Sequence, residues 1–167
     1  MARFIPSQMN EYIAAGKVWR LNLDYVSINA DAYNGIGFAT PATGLCVVSL
    51  AQVEKTGGEI QVVALEGPTL GSGSALTPTN YNRVIGDASP PMTTPVYGGT
   101  ATCGTTIGTA LLGGASGGNT KPGGVGTSAA FFVLKPSTVY YWKFTAKQAT
   151  VTMMAHLDFV YEPGTTL

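Results

Sequence analysis

The stretch from Ala129 to Glu162 constrains the fold most, because its apolar residues recur at every second position. From Thr138 to Lys147, Tyr140, Trp142, Phe144 and Ala146 fall on one face, and Tyr141, Lys143, Thr145 and Lys147 on the other. After Gln148 and Ala149, a second series places Val151, Met153, Ala155, Leu157, Phe159 and Tyr161 together. Opposite them lie Thr150, Thr152, His156, Asp158 and Glu162. Side chains alternate across a strand, so each series predicts a strand with one buried face and one wetter face. The β-branched and aromatic residues suit that geometry. Phe131 to Leu134 is a shorter apolar run, closed by Lys135-Pro136-Ser137. Pro136 has no N–H to donate and holds Lys135 extended, so the chain turns there.

The same alternation appears upstream. Trp19, Leu21, Leu23 and Tyr25 alternate with Arg20, Asn22 and Asp24, and the apolar phase then shifts to Val26 and Ile28. That shift predicts a β-bulge or a strand passing between two sheets. Asp31 to Gly37, with Asn34-Gly35, carries turn chemistry. Gly44 to Glu54 reads as a second long strand, Lys55-Thr56-Gly57-Gly58 as a hairpin turn, and Glu59 to Leu65 as the partner strand. From Gly67 to Thr127, Gly, Ser, Thr, Pro and Asn dominate. One or two short strands are expected in this stretch, around Thr105 to Leu112. Gly113 to Gly126 is low-complexity, expected to be mobile or ordered by a partner.

Residues 1–17 read as an arm, with a short helix predicted over Ser7 to Ala15. The arm is either a strap over the domain's own core or a reach toward a neighbouring subunit. The expected fold is therefore all-β: an arm at 1–17 and one β-sandwich at 18–167, with a loop insertion at about 67–127. Jelly roll is the first expectation for its topology and an immunoglobulin-like sandwich the second.

Charge narrows the function classes. Charged residues make up 11% of the chain, against about 25% in ordinary soluble domains. Nine basic and nine acidic residues cancel, and the basic ones are scattered rather than clustered as a nucleic-acid binder requires. A surface this poor in charge suits a protein covered by copies of itself or by partners. No apolar run reaches membrane-spanning length and no signal-peptide pattern opens the chain, so synthesis in a cytoplasm is expected. Cys46 sits in an apolar strand and reads as a buried hydrophobe, although a bridge to Cys103 is an alternative.

Catalytic and metal signatures are weak. Gly114-Ala115-Ser116-Gly117-Gly118 matches GxSxG, but it sits in Gly/Ser loop sequence. The single histidine, His156, precedes Asp158, so the order of a nucleophile-elbow triad is not met. Gly123-Gly124-Val125-Gly126 lacks the aspartate of a calcium-binding repeat, and no cysteine or histidine spacing suggests a metal. No catalytic residue, cofactor or metal is expected. His156 reads as a hydrogen-bonding or surface residue of a strand.

The segment Phe132-Val133-Leu134-Lys135-Pro136-Ser137-Thr138-Val139-Tyr140, followed by Leu157-Asp158-Phe159-Val160-Tyr161-Glu162, resembles a pattern of small virion proteins of tailed bacteriophages. The Gly/Thr-rich middle and low charge are also similar to phage decoration, head-fibre and tail-surface proteins. The resemblance covers about the last quarter of the chain. It implies a non-enzymatic structural protein that binds the assembled capsid or tail.

A capsid decoration, or cement, protein is accordingly the first expectation. It would bridge neighbouring subunits of the major capsid protein, or contact other virion proteins, as a homodimer or homotrimer on the capsid surface. No nucleic acid or membrane partner is expected. Arg3, Phe4, Ile5 and Tyr12 of the arm, with Gly117, Asn119 and Lys121 of the glycine-rich loop, are the candidate partner contacts. The alternative is a receptor- or glycan-binding module of a fibre or tail, using exposed Tyr81, Tyr97 or Tyr141.

Overall fold

The structure, a computed structural model, describes residues 9–84, 89–112, 131–147 and 149–164. A short helix, α1 (Met9–Ala14), precedes the strands β1 (Val18–Ile28), β2 (Tyr33–Ala39), β3 (Leu45–Gly57) and β4 (Ile60–Glu66). Next come β5 (Thr69–Leu70), β6 (Ser74–Ala75), β7 (Thr79–Asn80), β8 (Thr93–Tyr97), β9 (Ala101–Thr102) and β10 (Thr105–Leu112). The chain ends in β11 (Phe131–Leu134), β12 (Val139–Ala146) and β13 (Val151–Glu162). One five-stranded sheet runs β11-β3-β13-β1-β7, and a six-stranded sheet runs β10-β4-β12-β2-β8-β6. Pairing is antiparallel throughout both sheets. The two sheets pack into a single-domain β-sandwich, and β5 with β9 forms a small separate ribbon.

The core sits where the alternation places it. Val151, Met153, Ala155, Leu157 and Phe159 of β13 face Tyr140, Trp142, Phe144 and Ala146 of β12, and all are buried. Phe38 of β2 joins the sheets: its ring stacks on Trp142 at 5.7 Å and meets Phe159 edge-on at 5.4 Å. Such pairs contribute roughly 0.5–1.5 kcal/mol each beyond the area they bury. In β1, the register against β13 shifts between Leu23 and Val26, which is the predicted bulge. Tyr25 falls in that irregularity and is exposed, rather than continuing the apolar stripe. Cys46 is buried and unpaired, and burial pushes its thiol up to about 12.

Several expectations need correction. β3 and β4 are not a hairpin, because they belong to different sheets. Neighbours occupy both edges of each: β11 and β13 flank β3, and β10 and β12 flank β4. Lys55, Thr56 and Gly57 instead finish β3, paired with Met153, Thr152 and Val151 of β13, and the chain crosses the sandwich from Gly57 through Gly58 and Glu59. Gly57 makes the crossing with φ +93°, where a Cβ would lie 2.6 Å from the Thr150 carbonyl oxygen.

Asn34-Gly35 is not a turn but lies inside β2. Tyr141 explains the glycine, because its ring lies against Gly35 and Gly37 on the outer face of the six-stranded sheet. A Cβ on Gly35 would collide with the Tyr141 ring and the Trp142 carbonyl. Leu70 also reaches Gly37, and the Tyr141 hydroxyl donates to the Gly99 carbonyl at 2.7 Å. The segment after β4 thus covers this face, and Tyr141 is buried rather than wet. That segment also holds more strands than expected, six between Thr69 and Leu112, although Thr105–Leu112 is the longest of them, as predicted. The expectation for Gly113 to Gly126 lies outside the described residues.

The Lys135-Pro136-Ser137 turn joins β11 of one sheet to β12 of the other. The Tyr140 hydroxyl accepts from the Lys135 backbone N–H at 2.9 Å and donates to Glu66 at 3.1 Å. The Thr40 hydroxyl donates to the Lys135 carbonyl at 2.7 Å and accepts from the Thr138 N–H at 3.0 Å. The Ser137 N–H donates to the Pro41 carbonyl at 3.0 Å, while Ser137 itself takes φ 49°. The Leu-Lys-Pro-Ser-Thr-x-Tyr pattern therefore specifies a corner between sheets.

Candidate functional site

The outer face of the five-stranded sheet is apolar at one end and polar in the middle. Val18, Leu45, Val47 and Val160 form a second, smaller core there, under Met9, Tyr12 and Ile13 of α1. The Tyr12 hydroxyl donates to Glu162 Oε2 at 3.1 Å, and Lys17 Nζ pairs with Glu162 Oε1 at 3.3 Å. Burial first, and then the Glu162 carboxylate, raise the Tyr12 phenol above its ordinary range. The end of the helix is tied down by Asn82 Nδ2 on the Ala14 carbonyl and Asn80 Nδ2 on the Gly16 carbonyl, both at 2.8 Å. The described part of the arm is thus a strap over the domain's own sheet.

Beside the strap lies a cluster of polar side chains. Arg20 of β1 and Asp158 of β13 are cross-strand partners, and Arg20 Nε meets Asp158 Oδ1 at 3.0 Å. Pairing of β7 with β1 brings Tyr81 alongside, through its N–H on the Val18 carbonyl at 3.0 Å. The Tyr81 hydroxyl donates to Asp158 Oδ1 at 2.9 Å and accepts from Arg20 Nη2. The Arg20 guanidinium also sits 4.7 Å from the Tyr81 ring centroid. Burial raises the Asp158 carboxyl, and Arg20 opposes that shift.

One register step further, Asn22, His156 and Gln52 line up across β1, β13 and β3. His156 Nδ1 and Asn22 Oδ1 are buried without a hydrogen-bond partner among the described residues. Burial and the nearby Arg20 charge lower the His156 imidazole below its ordinary value. A nucleophile beside a base is the arrangement that covalent catalysis requires. This cluster pairs a cation with a carboxylate and a phenol, and its hydrogen bonds join strands of its own sheet.

Among the described residues, nothing closes the side of the sandwich between β10 and β11. A pocket of about 200 Å³ enters there between the sheets, lined chiefly by Leu50, Val62, Ala64, Ala110, Phe132 and Trp142. Its walls are apolar, so it offers shape and dispersion rather than hydrogen bonds. Leu111 and Val133, on the two flanking strands, are 60% and 56% exposed.

Of the candidate contact residues, only Tyr12 is among the described residues, and it binds Glu162 of its own chain. Arg3, Phe4, Ile5, Gly117, Asn119 and Lys121 lie outside them, as does Ser116. Of the tyrosines considered for glycan binding, Tyr141 is buried and Tyr81 is engaged by Arg20 and Asp158. Among the described residues no cluster of His, Cys, Asp or Glu could hold a metal ion. No helix among them is long and apolar enough to cross a membrane. Sequence reasoning missed the Arg20–Tyr81–Asp158 cluster. Its one available signal was that Arg20 and Asp158 carry opposite charges on the wetter faces of two alternating strands. Comparison with protein-family models, curated proteins and solved structures gives no match.

Proposed function

We propose that this chain is a non-enzymatic structural virion protein that decorates a phage capsid and bridges neighbouring capsid subunits. The observation that carries this reading is the scarcity of charge, 11% of the chain against about 25% in ordinary soluble domains. The chain has nine basic and nine acidic residues, and three ion pairs within the fold already join six of them. A protein that works alone in solution relies on surface charge to stay dispersed. One that spends its life against other protein does not, and uncharged surface there costs less to desolvate.

The connectivity supports the jelly-roll form of the sandwich. β1-β13-β3-β11 in one sheet interleaves with β2-β12-β4-β10 in the other, and jelly rolls recur in capsid and lectin domains. Fold alone does not assign function, and the resemblance of the Lys135–Tyr140 corner bears mainly on fold. Binding across a subunit boundary stabilises a shell because the assembled state holds the ligand and the dissociated state does not. Many copies on a symmetric lattice add avidity.

Co-sedimentation with undecorated capsids tests the reading, using the full chain and a form lacking residues 1–8. That truncation leaves the α1 strap in place. Saturable pelleting is expected, weakened by the truncation if Arg3, Phe4 and Ile5 make contacts. Absence of pelleting by the full chain overturns the reading.

A further inference from the structure

We propose that β10 is a seam through which two copies of this chain join, strand to strand and antiparallel, extending the six-stranded sheet across the pair. The inference does not depend on what the oligomer binds. Among the described residues, four strands end the two sheets: β6 and β10 in one, β7 and β11 in the other. β6 and β7 have two residues each and β11 has four, whereas β10 has eight. A sheet edge presents unpaired N–H and C=O groups, and natural proteins blunt long edges with charge, proline or an irregularity. Thr105-Thr106-Ile107-Gly108-Thr109-Ala110-Leu111-Leu112 contains no charge and no proline. Its one irregularity falls between Thr106 and Gly108, which leaves Gly108 to Leu112 in regular register with β4.

The side chains beside this edge are those of a contact surface. Thr109 and Leu111 are exposed, and their β4 partners Val63 and Gln61 are half-buried. Leu111, Val63 and Leu65 give the outer face of this edge an apolar character.

A second copy is the occupant that the charge pattern favours. An acidic or basic partner strand would be read by complementary charges, and β10 has none to offer. A copy brings the same neutral edge, so no like charges meet across the seam. The chain's formal net charge of zero also removes long-range repulsion between copies. An antiparallel pair of identical strands is two-fold symmetric, which closes the assembly at a dimer rather than a filament.

Sedimentation velocity of the full chain over a wide concentration range tests the proposal, together with Thr109→Lys and Leu111→Lys. Both substitutions fall at exposed positions, and an unchanged circular dichroism spectrum and thermal midpoint would confirm folding. Wild type is expected to dimerise, with each lysine weakening association by about tenfold or more. Val84→Lys, on a 93% exposed residue just beyond β7, is expected to leave association unchanged. Amide exchange of wild type supplies a readout free of substitutions. Slower exchange over Gly108–Leu112 at high concentration supports the seam. A wild type that stays monomeric overturns the proposal, as does a dimer indifferent to both lysines. Failure of capsid binding by a dimer that the lysines disrupt would overturn only the capsid reading.

Discussion

Tyr141 and His156 mark where single side chains depart from a simple in-and-out alternation. Tyr141 occupies an outward position of β12, yet it is buried because the glycines of β2 leave room for its ring and Gly99 accepts its hydroxyl. Gly35→Ala is therefore expected to destabilise by about 1–3 kcal/mol, as overpacking does, measured as a shift in the urea midpoint. His156 predicts a pH dependence whose sign follows from its lowered pKa. Between the folded value and the unfolded 6.5, the unfolded chain holds the proton more often, so stability falls as pH drops through that window. Because His156 is the only histidine, His156→Gln should flatten the slope of the denaturation midpoint between about pH 7 and 5. An unchanged slope would move the cause elsewhere. Asp158 has the opposite sign: its carboxyl is raised, so its contribution is present at low pH and lost as pH rises through the folded value. The burial of Tyr140, Trp142 and Phe144 was legible from spacing alone. That of Tyr141 was not, because the covering segment has no periodic pattern, and Asn34-Gly35 reads locally as a turn.

At the scale of elements, strands were more legible than their partners. β3 is buried at every position from Leu45 to Leu50, a continuous apolar run that marks a strand covered on both faces. Turn chemistry at Lys55–Gly58 says that the chain changes direction there, but not that it changes sheets. The corner at Lys135 is where both levels agree. Tyr140→Phe should cost about 1–3 kcal/mol, because it leaves the Lys135 N–H without its acceptor. Thermal unfolding of the variant beside wild type measures it. The α1 strap gives a contrast between two truncations. Removing residues 1–17 uncovers Val18, Val47 and Val160 and deletes both contacts to Glu162, so a clear drop in melting temperature is expected. Removing residues 1–8 leaves those contacts in place, so the melting temperature should fall by less. Equal losses from the two truncations would contradict the strap.

For the whole molecule, scarcity of charge is the property that needs a function. The fold pairs six charged side chains within itself and leaves β10 uncharged beside an apolar pocket. The proposed shell-bound life would account for both features, since partner surface would replace the solvation that charge supplies. None of this could be read from a motif, because the surface is assembled from residues far apart in the chain. The most direct test is the thermal disassembly of undecorated capsids, followed by calorimetry as this protein is added. The midpoint should rise with added protein and plateau when the bridging sites are filled. An unchanged midpoint at saturating protein would contradict the bridging role.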